Sequence, residues 1–260
     1  FEMESKVDPR RAKDTLRSKE KLYRRFLMFK DFYAAERPVI VCEGKTDNVY
    51  LLHAIRSLAA FYPKLATVDA NKKITLNVRI LKTIKTSTGR VLQLDGGASF
   101  LEAFIKQYLV EIGKFKAPRM QCAVVVVVDN DKGGDDIYNA IRTLTKKKAL
   151  KSAPYVHVAG NLYTVLTPLK AGTTKSTIED CFADEIKNLN LGGKTFNANS
   201  KIDTAAHFGK HKLSEYIREN SAKVDFTGFA GLLDRINDAI EGHQAKVAGA
   251  AAASGVAAQP

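Results

Sequence analysis

The segment Glu43-Gly44-Lys45-Thr46-Asp47 places two carboxylates four residues apart, directly after the apolar run Val39–Cys42. The run is short and β-branched, and the residues after it have helical periodicity, so the acids lie on a predicted strand-to-helix turn. Ligands of open α/β sheets bind at the carboxyl ends of strands. The turn is therefore a candidate for chemistry. The alternative is a structural turn in which Asp47 stabilises the start of the helix.

The same turn imitates a phosphate-binding loop, because Gly44-Lys45-Thr46 follows a strand. The full pattern requires a glycine five residues before Gly44, and that position is Val39. Carboxylates at such a turn would also repel a phosphate unless a metal ion lay between them. These two observations exclude a nucleotide-binding loop of this kind.

A second acidic pair, Asp129-Asn130-Asp131, ends the apolar run at residues 122–128. Residues two apart on an extended chain point to the same side, so both carboxylates are expected to face one point. Oxygen-only ligands suit Mg²⁺ or Mn²⁺. The alternative is a polar turn with both acids in water. A calcium loop is excluded, because its twelfth position is Ala140 and not glutamate.

Three further groups of polar residues have simpler interpretations. Asp135 and Asp136 are expected to cap and stabilise the helix that follows the second acidic pair. Ser176 and Glu179 fit a capping box, and the cations Lys201, Lys210, His211 and Lys212 fit a solvated surface. The five histidines have no cysteine partners at zinc spacing, so a zinc site is not expected.

The elements that position these residues alternate between strand and helix. Strands are predicted at residues 39–43, 74–80, 91–94, 122–128, 155–159 and 162–166, and helices at 46–61, at 99–112 and from Gly133 to about 146. This alternation predicts an α/β fold, a parallel sheet with helices on both faces. The part after Pro168 is predicted to be mainly helical, at residues 176–182, 204–220 and 229–243.

Four parts of the chain follow from this pattern. Residues 1–36 are predicted to be a basic helical linker at the end of a preceding domain, since the chain begins with Phe1. Residues 37–168 form the α/β core, and residues 169–246 form a helical extension that completes the site. Residues 247–260 are rich in Ala, Gly and Ser, and a disordered tail is expected there.

Composition narrows the classes of function. The 260 residues carry 41 Lys and Arg against 28 Asp and Glu, a formal charge of +13, so nucleic acid is the expected partner. Apolar residues make up 45%, which excludes a disordered chain. The longest run of large apolar residues has seven members, too few for a transmembrane helix. Three cysteines in apolar or helical stretches are expected to be reduced thiols of a cytoplasmic protein.

Taken in order, these motifs resemble the TOPRIM domain over about residues 37–166. The family has a hydrophobic strand that ends in Glu-Gly, here Glu43-Gly44, and a later strand that ends in Asp-x-Asp, here Asp129 and Asp131. The resemblance implies a TOPRIM-like, Rossmann-like parallel sheet. Topoisomerases and bacterial-type primases of the family fit less well, because they need an extra tyrosine-bearing domain or a zinc module.

Further features resemble the nuclease branch of the family, the overcoming-lysogenization-defect type. That branch has a second acid four residues after the first, here Asp47, a Gly-Gly turn, here Gly96-Gly97, and a Ser/Thr-x-Glu element, here Thr177 and Glu179. It also has a late catalytic lysine before a helix. Lys210 and Lys212 both fit this position, and the sequence does not decide between them.

The segment from Tyr23 to Tyr33, leading into Pro38 and Glu43, resembles the junction in retron reverse transcriptases that carry a C-terminal TOPRIM effector. This resemblance implies a metal-dependent nuclease of DNA or RNA, the toxic effector of a retron anti-phage system. It also implies a fused or associated reverse transcriptase and its RNA–DNA product as partners. Oligomeric state stays open.

The resemblance also implies a role for each site residue. Glu43 would be a general base or a metal ligand, and Asp129 and Asp131 would hold Mg²⁺ or Mn²⁺. Asp47 and Glu179, with Thr177 as a further candidate, would complete a second metal position, since two ions clamp an in-line displacement. Lys210 or Lys212 would neutralise charge on the scissile phosphate. The alternative is a non-catalytic basic module of a reverse transcriptase that docks nucleic acid.

Overall fold

The computed structural model describes residues 17–82, 86–117, 120–146, 150–199 and 201–253. Its helices are α1 (Ser18–Met28), α2 (Lys45–Ser57), α3 (Ser87–Leu92), α4 (Ala98–Ile112), α5 (Lys132–Thr145), α6 (Asp184–Lys187), α7 (Lys210–Asn220) and α8 (Ala230–Ala253). Its strands are β1 (Val39–Cys42), β2 (Ala66–Val68), β3 (Ile74–Leu76), β4 (Arg79–Ile80), β5 (Val124–Val128), β6 (Val156–Ala159), β7 (Leu162–Leu166), β8 (Asn190–Leu191), β9 (Lys194–Phe196) and β10 (His207–Phe208).

The centre of the fold is a five-stranded sheet in the order β4-β1-β5-β7-β6. Strands β4, β1, β5 and β7 are parallel, and the edge strand β6 is antiparallel to β7. The predicted α/β class with a mostly parallel sheet is thereby confirmed. Strands β1 and β5 are neighbours, with Cys42 opposite Val127, so the acidic residues that follow them lie at one edge of the sheet.

Side chains of the central strands alternate between two apolar layers. Val39, Val41 and the even-numbered valines of β5 pack with helices α1, α3, α4 and α5. Ile40, Cys42 and the odd-numbered valines pack with α2, α7 and α8. All five valines of β5 are buried, because helices cover both faces of a strand that pairs on both edges.

Some predicted elements differ from the structure between β1 and β5. The stretch 91–94, predicted as a strand, contains the end of helix α3, which begins after the cap residue Thr86. The predicted strand 74–80 is two strands: β3 forms a hairpin with β2, and β4 joins the main sheet. The partner strand β2 has little buried apolar surface, so periodicity alone did not predict it.

The C-terminal part is helical and also contains a small sheet of β8, β9 and β10 that the sequence did not predict. Helix α7 begins at Lys210, later than the predicted residue 204. The disordered tail expected from Val247 is wrong up to Ala253, because α8 continues through an alanine-rich stretch and alanine has the highest helix propensity. Residues 254–260 lie outside the described residues.

The N-terminal part departs from regular helix in one place. Helix α1 passes directly into a π-helical turn, Phe29–Tyr33, in which Phe32 and Tyr33 are buried. Phe32 packs against Phe104 and Tyr108 of α4. Residues 1–16 of the predicted basic helix lie outside the described residues. Among the described helices, none is both long and apolar enough to cross a bilayer.

Candidate active site

Glu43 is the first residue after β1, and the amino terminus of α4 lies beside it. The backbone N–H of Gly97 donates to the Glu43 carbonyl oxygen at 3.0 Å, and the nearby Ala98 N–H acts to lower the pKa of the Glu43 carboxylate. Gly96 and Gly97 have φ of 102° and 94°, values that favour glycine and explain the Gly-Gly turn. The start of α4 therefore directs its positive end at an acid.

The Glu43 carboxylate has an unused hydrogen-bonding atom. Its Oε2 is buried and has no hydrogen-bond partner. Burial raises the pKa of Glu43, and the nearby carboxylates of Asp47 and Asp131 raise it further. A buried acceptor without a donor costs free energy, so the position favours a proton or a cation beside it.

Asp47 lies in the first turn of α2 and folds back over the turn that precedes it. Its carboxylate accepts from the Gly44 N–H at 2.6 Å and from the Thr46 hydroxyl at 3.2 Å. A Cβ on residue 44 would lie 2.8 Å from Asp47 Oδ1, so a side chain there would displace the Asp47 carboxylate. Burial raises the pKa of Asp47, and the Glu179 carboxylate raises it further.

Asp129 follows β5 and is the most strongly perturbed acid of the site. Burial raises the pKa of Asp129 to about 8, with contributions from the Asp47, Glu179 and Glu43 carboxylates. Its Oδ1 accepts from the Ile178 backbone N–H at 2.9 Å. Three other acids thus repel the ionised form of Asp129, as expected for groups that share one small space.

Asp131 has a structural role in addition to its nearness to Glu43. Its Oδ1 accepts from the Gly134 N–H at 3.1 Å, so Asp131 is the N-cap of α5. Capping by Asp135 and Asp136 was therefore predicted wrongly. Asp135 does lie in the first turn of α5, where an acid is expected to stabilise the helix, and it pairs with Lys151. A Cβ on residue 134 would lie 2.2 Å from the Asp129 carbonyl oxygen, which explains the glycine.

The segment from Ser176 to Glu179, which we call the crossing segment, brings Glu179 to the carboxyl ends of the strands. Ser176 and Asn130 exchange two backbone hydrogen bonds of 2.8 and 3.0 Å. The buried Thr167, which follows β7, binds both: its hydroxyl donates to the Ser176 carbonyl and accepts from the Asn130 N–H. This network is fully buried, so it holds the segment firmly beside Asp129.

The predicted capping box is shifted by one residue. Asp180 accepts from the N–H and the hydroxyl of Thr177, so the box is formed by Thr177 and Asp180 and not by Ser176 and Glu179. The Ser176 hydroxyl is used by Thr167 instead. This shift leaves Glu179 free to turn inward, where it is buried.

Lys210 is the cation of the site. Its Nζ lies 3.0 Å from Glu179 Oε2, while Glu179 Oε1 is buried and has no hydrogen-bond partner. Burial lowers the pKa of Lys210, but the carboxylates of Glu179, Asp129 and Asp47 outweigh it and raise the pKa above its ordinary value. Lys212 points elsewhere and pairs with the exposed Glu215.

The sequence analysis did not identify Tyr50, whose side chain holds the backbone of Lys210 in place. The buried Tyr50 of α2 donates its hydroxyl hydrogen to the Lys210 carbonyl oxygen at 3.1 Å. Helix α2 thus positions both Asp47 and the first turn of α7. A helical pattern that buries a tyrosine one turn after Asp47 was the available signal, because a buried tyrosine hydroxyl needs a partner.

The site gathers Glu43, Asp47, Asp129, Glu179 and Lys210, with Asp131 beside Glu43. The possible metal ligands of the site are all carboxylate oxygen atoms. Two of these oxygens, on Glu43 and Glu179, are buried without hydrogen-bond partners, which fits a hard divalent cation. Within the described ranges, however, no three acidic, histidine or cysteine side chains are close enough to form a ready metal-binding group. Thr177 uses its hydroxyl on Asp180 and adds no evident ligand.

Comparison with known proteins does not identify the chain. No protein-family model matches it, and no solved structure matches it. The arrangement of residues in the site therefore carries the functional argument.

Proposed function

We propose that the chain is a metal-dependent endonuclease of the TOPRIM type, which hydrolyses phosphodiester bonds in DNA or RNA. One observation carries the proposal: Glu43 and Asp129 follow the neighbouring parallel strands β1 and β5 and meet Asp47, Glu179 and Lys210 there. Mutual repulsion among these acids destabilises the folded protein, so a purely structural role does not account for the cluster. Perturbed carboxylates at the carboxyl edge of a sheet are typical of a catalytic site.

The residues that would hold Mg²⁺ or Mn²⁺ are Glu43, Asp129 and Asp131 at one position and Asp47 and Glu179 at a second. The unpartnered oxygens of Glu43 and Glu179 support this assignment. When bound, two such ions stabilise the attacking and leaving oxygens of an in-line displacement.

The protein's own groups provide proton transfer and charge. As the alternative to its role as a metal ligand, Glu43 has a raised pKa that suits a general base, which takes a proton from the attacking water. Lys210 stays protonated at neutral pH because the acids raise its pKa, so it can neutralise the charge that develops on the scissile phosphate. Lys212 has no part in this scheme.

The resemblance of the segment from Tyr23 to Tyr33 to retron junctions supports a biological setting. In it, the nuclease is the toxic effector of a cytoplasmic anti-phage system, restrained by a reverse transcriptase and its RNA–DNA product. Host cells that express the chain alone should then lose viability faster than cells that express it with those partners. Equal toxicity in both would remove the restraint from the proposal.

A second candidate function is a basic docking module without catalysis. It is favoured by the absence of a ready metal-binding group in the part of the chain that the structure describes and by the formal charge of +13. Docking through lysine and arginine does not need Mg²⁺ and weakens smoothly with salt. Metal dependence therefore separates the two functions.

The test is cleavage of labelled single-stranded DNA, duplex DNA and total RNA by the purified chain with Mg²⁺, with Mn²⁺ and with EDTA. An Asp129→Ala/Asp131→Ala variant removes two site acids. The matched control is Asp184→Ala/Asp203→Ala, because both of these aspartates are exposed and remain outside the site. Cleavage that requires metal, persists in the control and is lost in the site variant supports the nuclease. Binding without cleavage, unchanged in the site variant, supports the docking module.

A further inference from the structure

A groove of about 600 Å³ lies between helices α2 and α7 and the loop that follows β4. Both helices also contribute to the acidic site, since α2 carries Asp47 and α7 begins with Lys210. The groove begins at Lys45 and Asn48, which are neighbours of the site residues in sequence. The groove therefore begins near the ends of the helices that carry two of the site residues.

The rim of the groove is cationic. Lys45 and Arg56 come from α2, Lys82 from the loop after β4, and Arg218 from α7. No carboxylate among the described residues forms an ion pair with any of these four side chains. Four uncompensated positive charges around one groove attract a polyanion.

The groove is also lined by apolar side chains and a histidine ring. These are Val49, Leu52 and His53, which are all partly exposed. Burial lowers the pKa of His53, and the charges of Arg56 and Arg218 lower it further, so the ring is neutral at physiological pH. Apolar side chains and a neutral ring complement the face of an unpaired base, which a duplex does not expose.

A buried acceptor also lies in the wall of the groove. Asn48 donates its side-chain N–H to the Leu81 carbonyl oxygen at 3.2 Å, and its Oδ1 has no hydrogen-bond partner. This oxygen is buried, so a ligand reaches it only if the wall of the groove moves.

We propose that this groove, lined by Lys45, Arg56, Lys82 and Arg218, binds an unpaired nucleic-acid strand and leads it to the acidic site. The inference rests on the proposed function and names its substrate class, a single strand. Along α7, Lys210 and Arg218 are eight residues apart, about 12 Å on the helix axis. The volume is that of a small-molecule site, so it admits a short stretch of single strand and excludes a duplex.

Binding in EDTA tests the groove without cleavage. The full chain is titrated into a fluorescent single strand of DNA, the same sequence as RNA, and the corresponding duplex, and anisotropy is followed across a salt series. Arg56→Glu/Arg218→Glu is the groove variant. Lys106→Glu/Lys246→Glu is the control, because it makes the same change of charge at exposed positions on α4 and α8. Circular dichroism verifies that each variant is folded.

The groove variant is expected to bind single strands about tenfold more weakly or worse, with the salt slope reduced by about 1.4, or about 0.7 for each lost phosphate contact. The control should bind as the wild type does. His53→Ala should weaken binding about fivefold with an unchanged salt slope, because it removes stacking and no charge. Equal losses in groove and control variants, or tighter binding of the duplex than of the single strand, would overturn the proposal.

The result is independent of catalysis. If the groove binds single strands and no metal supports cleavage, then the groove stands and the nuclease fails. If metal-dependent cleavage depends on Asp129 but the groove variant binds normally, then the nuclease stands and the groove fails.

Discussion

The substitution Asp129→Asn should change how the stability of the protein depends on pH. It removes the charge and keeps an Oδ1 acceptor for the Ile178 N–H, which lies at 2.9 Å in the wild type. Burial first, and then the neighbouring acids, raise the pKa of Asp129 to about 8 from 3.8. Between these two values, the folded protein holds a proton that the unfolded chain has released.

The sign of the effect follows from linkage. Because the folded state binds the extra proton, the free energy of unfolding falls as pH rises from about 4 to about 8. One proton corresponds to about 1.36 kcal/mol per pH unit, so the wild type should lose about 2.7 kcal/mol between about pH 5.5 and 7.5 relative to Asp129→Asn. The variant has no carboxylate at position 129, so the repulsion between that position and Asp47, Glu179 and Glu43 does not develop as the pH rises.

The assay is urea unfolding followed by far-ultraviolet circular dichroism, in EDTA, at several pH values across this range. The control is Asp184→Asn, an exposed aspartate whose pKa is lowered by its hydrogen bond to Lys187, so its profile should run parallel to that of the wild type above about pH 5. Parallel profiles for wild type and Asp129→Asn would refute the interpretation of Asp129 as a buried, mutually repelled acid.

Three further predictions concern positions around the site. Gly134→Ala should destabilise the protein by about 2 kcal/mol, because its Cβ would lie 2.2 Å from the Asp129 carbonyl oxygen; urea unfolding measures the loss, and wild-type stability would contradict the tight packing. Thr167→Val should cost about 1 kcal/mol, because it removes the buried hydroxyl that bonds the Asn130 N–H and the Ser176 carbonyl, while these two groups stay paired with each other. Thr143→Val on the exposed surface is the control in the same assay. Lys210→Met should lower the cleavage rate about 100-fold or more, whereas Lys212→Met should leave it near the wild-type rate. Equal rates for the two variants would show that the ion pair between Lys210 and Glu179 has no part in catalysis.

The central strands were predictable from the sequence because their signal is local. Five consecutive valines fit a strand buried on both faces, and Val39–Cys42 fits its neighbour. The class of fold and the meeting of Glu43 with Asp129 follow from these two runs together with the rule that parallel strands share a carboxyl edge. Helix α4 was also clear from its apolar spacing.

Other features depend on contacts that are distant in sequence. Residues 91–94 are apolar enough for a strand, but Thr86 caps a short helix that packs beneath α1 and ends there. The inward turn of Glu179 depends on the bridge between Ser176 and Asn130, which no local pattern shows. The choice of Lys210 over Lys212 depends on the same contact, since only a folded chain brings α7 to Glu179.

The central claim is that the acids at the ends of β1 and β5 catalyse phosphodiester cleavage with a divalent cation. The most direct measurement removes metal from the purified chain with EDTA and then adds Mg²⁺ in the presence of end-labelled single strands of DNA and RNA. Wild type and Asp184→Asn should release products only after Mg²⁺ is added, and Asp129→Asn should release none. Cleavage by Asp129→Asn at the wild-type rate, or by the wild type before Mg²⁺ is added, would contradict the claim.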